Sequence, residues 1–304
     1  MEFSNSFKGY NDYELYYSEW LVKKPVYTVI LFHGMAEYAG RYEQFARFLN
    51  KNDCDVYALD FRGHGKNIRF NVKGHFVDED GWQVVVEDMQ LFIEHVKKSC
   101  QSNSIVLLGH SMGSLFLRSY LIKYNKKNAK KALLLGTPYA PANGILKIGK
   151  LFTSMLAAND PKKPSPFLDK VVFGNFAKKM QDPETAFDWL TRNKEVVRNY
   201  IKDPLCGFVC SISFYRDLFT GLQYCNETSH LKKIQKDTKV LILSGSDDPV
   251  GHFGKGPTEL YEQLSKVLQE DYVKLKIYEG YRHEILNEID SSQVFNDIFA
   301  FIKE

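Results

Sequence analysis

Ile105-Val106-Leu107-Leu108-Gly109-His110-Ser111-Met112-Gly113 is an apolar run that breaks into a serine flanked by two glycines, and the residues that follow, Ser114 to Lys123, keep helical spacing. A short, wholly apolar run ended by glycine suits a strand covered on both faces, as the strands of parallel sheets are. The local unit is therefore strand, sharp turn, helix. Glycines at 109 and 113 allow a crowded turn that lifts Ser111 above the sheet edge, and the amino terminus of the helix favours negative charge developing there.

Similar runs recur on both sides of this unit, at Glu14 to Trp20, Val26 to Phe32, Val56 to Asp60, Ala132 to Leu135, Val240 to Ser244 and Lys274 to Tyr278. They read as further strands. The middle ones are almost uniformly apolar, whereas Glu14 to Trp20 alternates as an edge hairpin does. Between them Trp82, Val85, Val86, Met89, Phe92, Ile93 and Val96 recur at spacings of three and four, giving one apolar helical stripe. Strands alternating with helices predict a doubly wound, mostly parallel α/β sheet, whose ligands gather at the carboxyl ends of the strands.

The alternation stops from Tyr139 to Cys225, a segment rich in Phe, Leu, Met and Pro. It reads as an inserted cap, dividing the chain into a first core part (1–138), the cap (139–225) and a second core part (226–304). Ile145 to Ala158 has helical spacing, with Ile145, Ile148, Phe152, Met155 and Leu156 on one side, and Pro161, Pro164 and Pro166 break the chain after it.

Composition narrows the function. The 304 residues carry 40 Lys and Arg against 37 Asp and Glu, a net charge of +3, too balanced for a protein that tracks nucleic-acid phosphates. The basic run from Lys123 to Lys131, with Lys126, Lys127 and Lys130, reads as a solvated helix end. Met1 to Tyr10 lacks the basic and apolar blocks of an export signal, Glu2 excludes myristoylation, and no apolar stretch approaches the ~20 residues that cross a bilayer. Cys54, Cys100, Cys206, Cys210 and Cys225 are odd in number and scattered, which suits free thiols in a reducing, cytoplasmic setting. The spacing of Cys206, Cys210, Cys225 and His230 matches no zinc pattern. Gly251-His252-Phe253-Gly254-Lys255-Gly256 lacks the Gly-Lys-Ser/Thr ending of a phosphate loop.

Gly109-His110-Ser111-Met112-Gly113 is G-x-S-x-G in the setting that such a nucleophile requires. A serine hydroxyl reacts only when a base takes its proton and a carboxylate orients that base. Of the eight histidines, only His283 follows the last strand run, in Glu279-Gly280-Tyr281-Arg282-His283-Glu284. The acid is expected after Val240 to Ser244, where Gly245-Ser246-Asp247-Asp248 offers Asp247 or Asp248, and charge alone leaves the two tied. An oxyanion needs two preorganised N–H donors. Met112 follows the nucleophile, and Met35 follows the strand that ends at His33-Gly34.

His33-Gly34-Met35-Ala36-Glu37, Asp60-Phe61-Arg62-Gly63-His64-Gly65, the Ser111 turn and the Asp and His loops together resemble the monoglyceride lipase and lysophospholipase-like branch of the α/β-hydrolases, the serine aminopeptidase S33 type, over nearly the whole chain. The resemblance implies the α/β-hydrolase fold, an eight-stranded sheet with a mainly helical cap. It implies the acid pattern Gly-Ser-x-Asp, which selects Asp248, and a histidine in Gly-x-x-His, which matches His283. Its oxyanion amides match Met35 and Met112. Within the cap, Phe187-Asp188-Trp189-Leu190 and Asp203-Pro204-Leu205-Cys206-Gly207-Phe208 look more like bacterial relatives than familiar monoglyceride lipases.

The expected activity is ester hydrolysis through an acyl-enzyme on Ser111, with Asp248 and His283, on a monoacylglycerol, lysophospholipid or similar acyl ester. Neither metal nor organic cofactor is expected, because acyl transfer needs only nucleophile, base and fixed dipoles. Nucleic acid is not an expected partner, and transient membrane-surface contact through the cap is. An aminopeptidase would need cap carboxylates for a free amine, with Glu184, Asp188 and Glu195 as candidates. A non-catalytic binding protein would be expected to lack a triad member.

Overall fold

A computed structural model describes residues 4–69, 72–102, 104–124 and 130–304. Among these, eight strands form one sheet in the order β1-β2-β4-β3-β5-β6-β7-β8. They are β1 (Ser4–Lys8), β2 (Glu14–Trp20), β3 (Tyr27–Phe32), β4 (Cys54–Leu59), β5 (Ile105–His110), β6 (Lys131–Leu135), β7 (Lys239–Gly245) and β8 (Val273–Tyr278). The hairpin β1–β2 is antiparallel, β2 runs antiparallel to β4, and every other pairing is parallel. Each strand expected from the sequence is present. The strand that sequence reading lacks is β1, whose polar SNSFK buries Phe7 and carries no periodic signal.

The central strands bury both faces, so their residues divide alternately between two helical layers. Ile30, Phe32, Leu107 and Leu134 pack on one side with Trp82, Phe92 and Phe116, from α2 (Gly81–Ser99) and α3 (Met112–Tyr124). Val29, Leu31, Val106 and Leu108 pack on the other with Phe45, Leu49, Phe295 and Ile298, from α1 (Glu43–Asn50) and α10 (Ser292–Lys303). All seven residues of the apolar stripe in α2 are buried. At about 1.5–3 kcal/mol for each fully buried large aliphatic or aromatic side chain, this two-sided burial is the main force holding the sheet.

Between β6 and β7 the chain makes a helical excursion through α4 (Asn143–Ala157), α5 (Pro166–Phe173), α6 (Lys194–Lys202) and α7 (Ile212–Asn226). Its last helix packs against α2 and α3, so that the excursion returns into the core layer. The helix α4 buries Leu146, Thr153 and Ala157 against α7, while Ile145, Ile148, Phe152 and Met155 stand exposed. Four members of the stripe expected from the sequence therefore face outward, joined by Phe167 and Val171 of α5, while the fifth, Leu156, is half-buried against the core. The chain closes with α8 (Thr228–Leu231), β7, α9 (Lys255–Ser265), β8 and α10.

Among the described residues no helix is long and apolar enough to cross a membrane. Met1, Glu2, Lys126 and Lys127 lie outside the described residues. Lys123 pairs with Glu87 at 2.6 Å and Lys130 with Asp237 at 3.6 Å, as suits a solvated surface.

Candidate active site

The order of the sheet reverses at β3, between β4 and β5, and the loops after β3 and β5 meet at that edge. There Ser111 has φ of +52°, in the left-handed region that a side chain resists. The two glycines are what make this turn possible. A Cβ on Gly113 would lie 2.1 Å from the Phe32 carbonyl oxygen, and one on Gly109 would lie 2.4 Å from that of Gly113. The Ser111 N–H donates to the Leu135 carbonyl at 2.8 Å, and the Ser114 N–H and hydroxyl both donate to the Ser111 carbonyl. Met112 opens α3, so its amide is among the helix-start donors that lack an intrahelical acceptor.

The loops after β7 and β8 are stitched together. A Cβ on Gly245 would lie 2.0 Å from the Tyr281 carbonyl, the Asp247 N–H donates to that carbonyl at 2.9 Å, and the Gly280 N–H donates to the Ser246 hydroxyl at 2.8 Å. The result separates the two aspartates. Asp247 is exposed and meets the Ser246 hydroxyl, whereas buried Asp248 puts Oδ2 3.0 Å from His283 Nδ1. Oδ1 of Asp248 accepts the Val250 N–H at 2.8 Å, fixing the carboxylate. His283 Nδ1 thus carries the proton that Asp248 accepts, leaving Nε2 as the basic nitrogen. His283 lies beside the serine turn: its ring centroid is 4.9 Å from that of His110, the residue before Ser111.

The loop after β3 is built by neutral and charged pairs in turn. His33 Nε2 accepts the Phe61 N–H at 3.0 Å, so Nδ1 donates to the Gly34 carbonyl at 2.6 Å. Burial holds this ring neutral, and it pushes nearby His64 down to about 3, helped by the neighbouring His33. Beyond them lies a charged set whose members are brought together mainly by the fold. Glu37 Oε1 accepts the Gly34 N–H at 2.6 Å and the Tyr42 hydroxyl at 2.8 Å, and sits 3.1 Å from His110 Nδ1. Arg41 reaches Glu37 Oε2 at 2.7 Å and forks onto Glu284, the neighbour of His283, at 2.6 and 2.7 Å.

Burial disfavours charge on every member, yet the mutual contacts win. The hydrogen bond from His110 and the charge of Arg41 hold Glu37 far below the usual carboxylate range, Arg41 lowers Glu284, and Glu37 raises His110. One local clue existed, the i,i+4 spacing of Glu37 and Arg41. The partners in Glu284 and His110 are distant in sequence.

Met35, Met112, Ser111 and His283 all line a cavity of about 650 Å³, within the range of small-molecule sites. Phe173, Phe176 and Trp189 of the cap form its aromatic wall, and exposed Ile145, Ile148 and Val171 stand at its edge. Glu184, Asp188 and Glu195 do not line it. Glu184 pairs with Lys194, Asp188 accepts from the Thr185 hydroxyl and the amides of 184 and 185, and Glu195 is exposed. Among the described residues no group of His, Cys, Asp and Glu could hold a metal ion.

The family described as serine aminopeptidase, S33 matches residues 23–290 of the chain. The chain is 27% identical over 304 residues to the monoacylglycerol lipase of Mycolicibacterium smegmatis, covering 98% of this chain and 96% of that protein. With the monoglyceride lipase of Homo sapiens the identity is 28% over 285 residues, 92% of this chain and 83% of the other. A solved structure of a highly thermostable carboxyl esterase from Bacillus coagulans superposes with a TM-score of 0.89 at 24% identity, over 99% of this chain and 97% of that one. At that identity the likeness carries the fold.

Proposed function

The chain belongs to the serine aminopeptidase S33 family of serine hydrolases, and from that membership we propose that it cleaves acyl esters of lipid character, monoacylglycerols or lysophospholipids, through an acyl-enzyme on Ser111. The observation that carries this reading is the meeting of the Ser111 turn and the Asp248–His283 pair at the wall of one cavity whose cap side is mostly aromatic and aliphatic, with Asp169 and Lys179 the charged cap residues in the lining.

In the proposed reaction His283 Nε2 takes the Ser111 proton as the oxygen attacks the ester carbonyl. Asp248 holds the ring by Nδ1 and stabilises the imidazolium. The amides of Met35 and Met112 receive the oxyanion, a preorganised pair of which one member is typically worth about 10²–10³ in rate. The imidazolium then gives its proton to the departing alcohol, and water repeats the sequence on the acyl-enzyme. The names of the two lipases above support a glyceride substrate, and the apolar cap wall supports an acyl chain in the cavity.

The same reading includes transient contact between the cap and a lipid surface. What supports it is the outward stripe of α4, with Ile148 71% and Met155 67% exposed, continuous with the cavity edge and flanked by Lys147 and Lys150. Residence in the reducing cytoplasm is supported by five free cysteines, four of them buried.

Two measurements test the proposal. A fluorophosphonate probe is expected to label the wild type and not Ser111→Ala. Turnover on 1-monoacylglycerols of increasing chain length, lysophosphatidylcholine, acetyl esters and aminoacyl amides is expected to favour medium or long acyl chains. Strict preference for acetyl would remove the lipid substrate, and cleavage of aminoacyl amides without ester turnover would replace esterase by aminopeptidase.

A further inference from the structure

The reaction as written makes no use of Arg41, Glu37, Glu284 or Tyr200, yet Glu37, Glu284 and Tyr200 are buried beside it and Arg41 nearly so. Stability alone is a poor reason for such a set. A buried ion pair costs desolvation, and well-packed apolar residues in its place are often as stable or more so. What these side chains do share is their attachment. Glu37 holds the N–H of Gly34, the residue before Met35. Glu284 is the next residue after His283, and its own N–H is held by the Leu190 carbonyl of the cap at 2.6 Å. Arg41 is the bridge between them, with one nitrogen shared by both carboxylates.

The cap enters at the same turn. The Ala36 carbonyl accepts the Tyr200 hydroxyl at 3.1 Å and the Gly207 N–H at 3.0 Å, and the Tyr200 ring lies 4.8 Å from the Arg41 guanidinium carbon. Ala36 has φ of +51°, a conformation a Cβ disfavours, so that external bonds are needed to hold it. Two cap donors on one carbonyl supply them.

We infer that Arg41 is a positioning residue, whose fork on Glu284 and bond to Glu37 fix the oxyanion loop against the His283 loop, with Tyr200 tying the cap into the same register. This rests on the acyl-enzyme reading. It assigns the charged set a job in geometry: a Met35 amide or a His283 ring displaced by about 1 Å can cost roughly 10² in rate.

The test compares wild type, Glu284→Gln, Arg41→Lys, Arg41→Met and Ser111→Ala by thermal melting, by kcat and KM on a p-nitrophenyl ester, and by affinity for a trifluoromethyl ketone, whose serine adduct places an oxyanion between the two amides. Glu284→Gln leaves Arg41 paired with Glu37, so it carries the test even if Arg41→Met does not fold. Folded Glu284→Gln is expected to lose about 10²-fold in kcat and a like factor in ketone affinity, with KM changed less than about threefold. Arg41→Lys is expected to recover part of the Arg41→Met loss. Wild-type kcat in folded Glu284→Gln, or a loss that follows only the unfolded fraction, would overturn the inference. Full turnover by Ser111→Ala would instead overturn the acyl-enzyme reading beneath it.

Discussion

The indole of Trp189 lies 5.3 Å from the imidazole of His283, centroid to centroid, and the Trp189 carbonyl accepts the His283 N–H at 3.4 Å. The cap therefore touches the proposed base directly through both a ring and the backbone. Behind it, Phe173 stacks on the indole at 6.1 Å and Phe176 meets it edge-on at 5.4 Å. Trp189→Ala is expected to leave a void on one face of the imidazole, to cost about 3–5 kcal/mol of stability and to lower kcat by about 10- to 100-fold through loosened geometry. Trp189→Phe should restore most of both. If Trp189→Ala keeps wild-type kcat in its folded fraction, the contact is cap packing and no more.

Asp248 and Asp247 are neighbours with opposite surroundings, one buried on His283 and the other exposed. Asp248→Asn keeps the shape but presents the wrong hydrogen-bonding group to Nδ1, and such changes in serine triads cost about 10⁴ in kcat. Asp247→Asn is expected to stay within about twofold, because the side chain is exposed, meets only the neighbouring Ser246 hydroxyl and keeps an amide oxygen to accept from it. Steady-state kinetics on any turned-over ester decides, and equal losses in the two variants would remove Asp248 from its proposed role.

Glycine matters very unequally along the chain. At Gly113 a methyl group would run into the Phe32 and His33 carbonyl oxygens, at 2.1 and 2.6 Å, which are backbone atoms of a central strand and its loop. Gly113→Ala must push α3 off the sheet or distort the serine turn, and either result should abolish probe labelling of Ser111. At Gly144, in the first turn of α4, a methyl group would meet nothing within 4 Å. Gly144→Ala is expected to stabilise by about 0.5–1 kcal/mol, because alanine loses less backbone freedom in a helix. Melting curves for the pair should move in opposite directions.

The central strands were legible because residues buried on both faces leave continuous apolar runs, as Val29 to Phe32 does, β2 and β8 were legible from β-branched and aromatic residues set among polar ones, and Ser111 was legible because its turn demands glycines at fixed offsets. The first strand was not, since an edge strand needs one buried side chain, here Phe7, and no periodicity. The α4 stripe showed a helix but not which way its apolar side faces; the residues that pack are Leu146 and the smaller Thr153 and Ala157, which make a less conspicuous pattern. Local chemistry left Asp247 and Asp248 equal, because what separates them is the stitching of two loops about 35 residues apart in sequence. The rest of the Arg41 set, beyond its i,i+4 pair with Glu37, was hidden for the same reason: Glu284 and His110 converge on it only once β3, β5 and β8 lie in one sheet.

Asp217 in α7 sets the last expectation, for pH. Its carboxyl is buried against Gly81 at the start of α2, where a Cβ would lie 2.1 Å from Oδ2, and Oδ1 accepts from the Arg216 side chain at 3.1–3.2 Å. Burial pushes this group up to about 7, with the adjacent Arg216 opposing but not cancelling it. An unfolded aspartate titrates near 3.9. Between roughly pH 4 and 7 the folded chain therefore holds a proton that the unfolded chain has released, and this group's contribution to stability falls as pH rises through that window. The ceiling is roughly 4 kcal/mol, from about three pKa units at 1.36 kcal/mol each. Asp217→Asn, neutral at every pH, is expected to melt higher than wild type at pH 8, by less at pH 5 and close to it at pH 4. Parallel melting-temperature profiles for the two proteins across that range would mean that Asp217 is ionised in the folded chain throughout, with Arg216 outweighing burial.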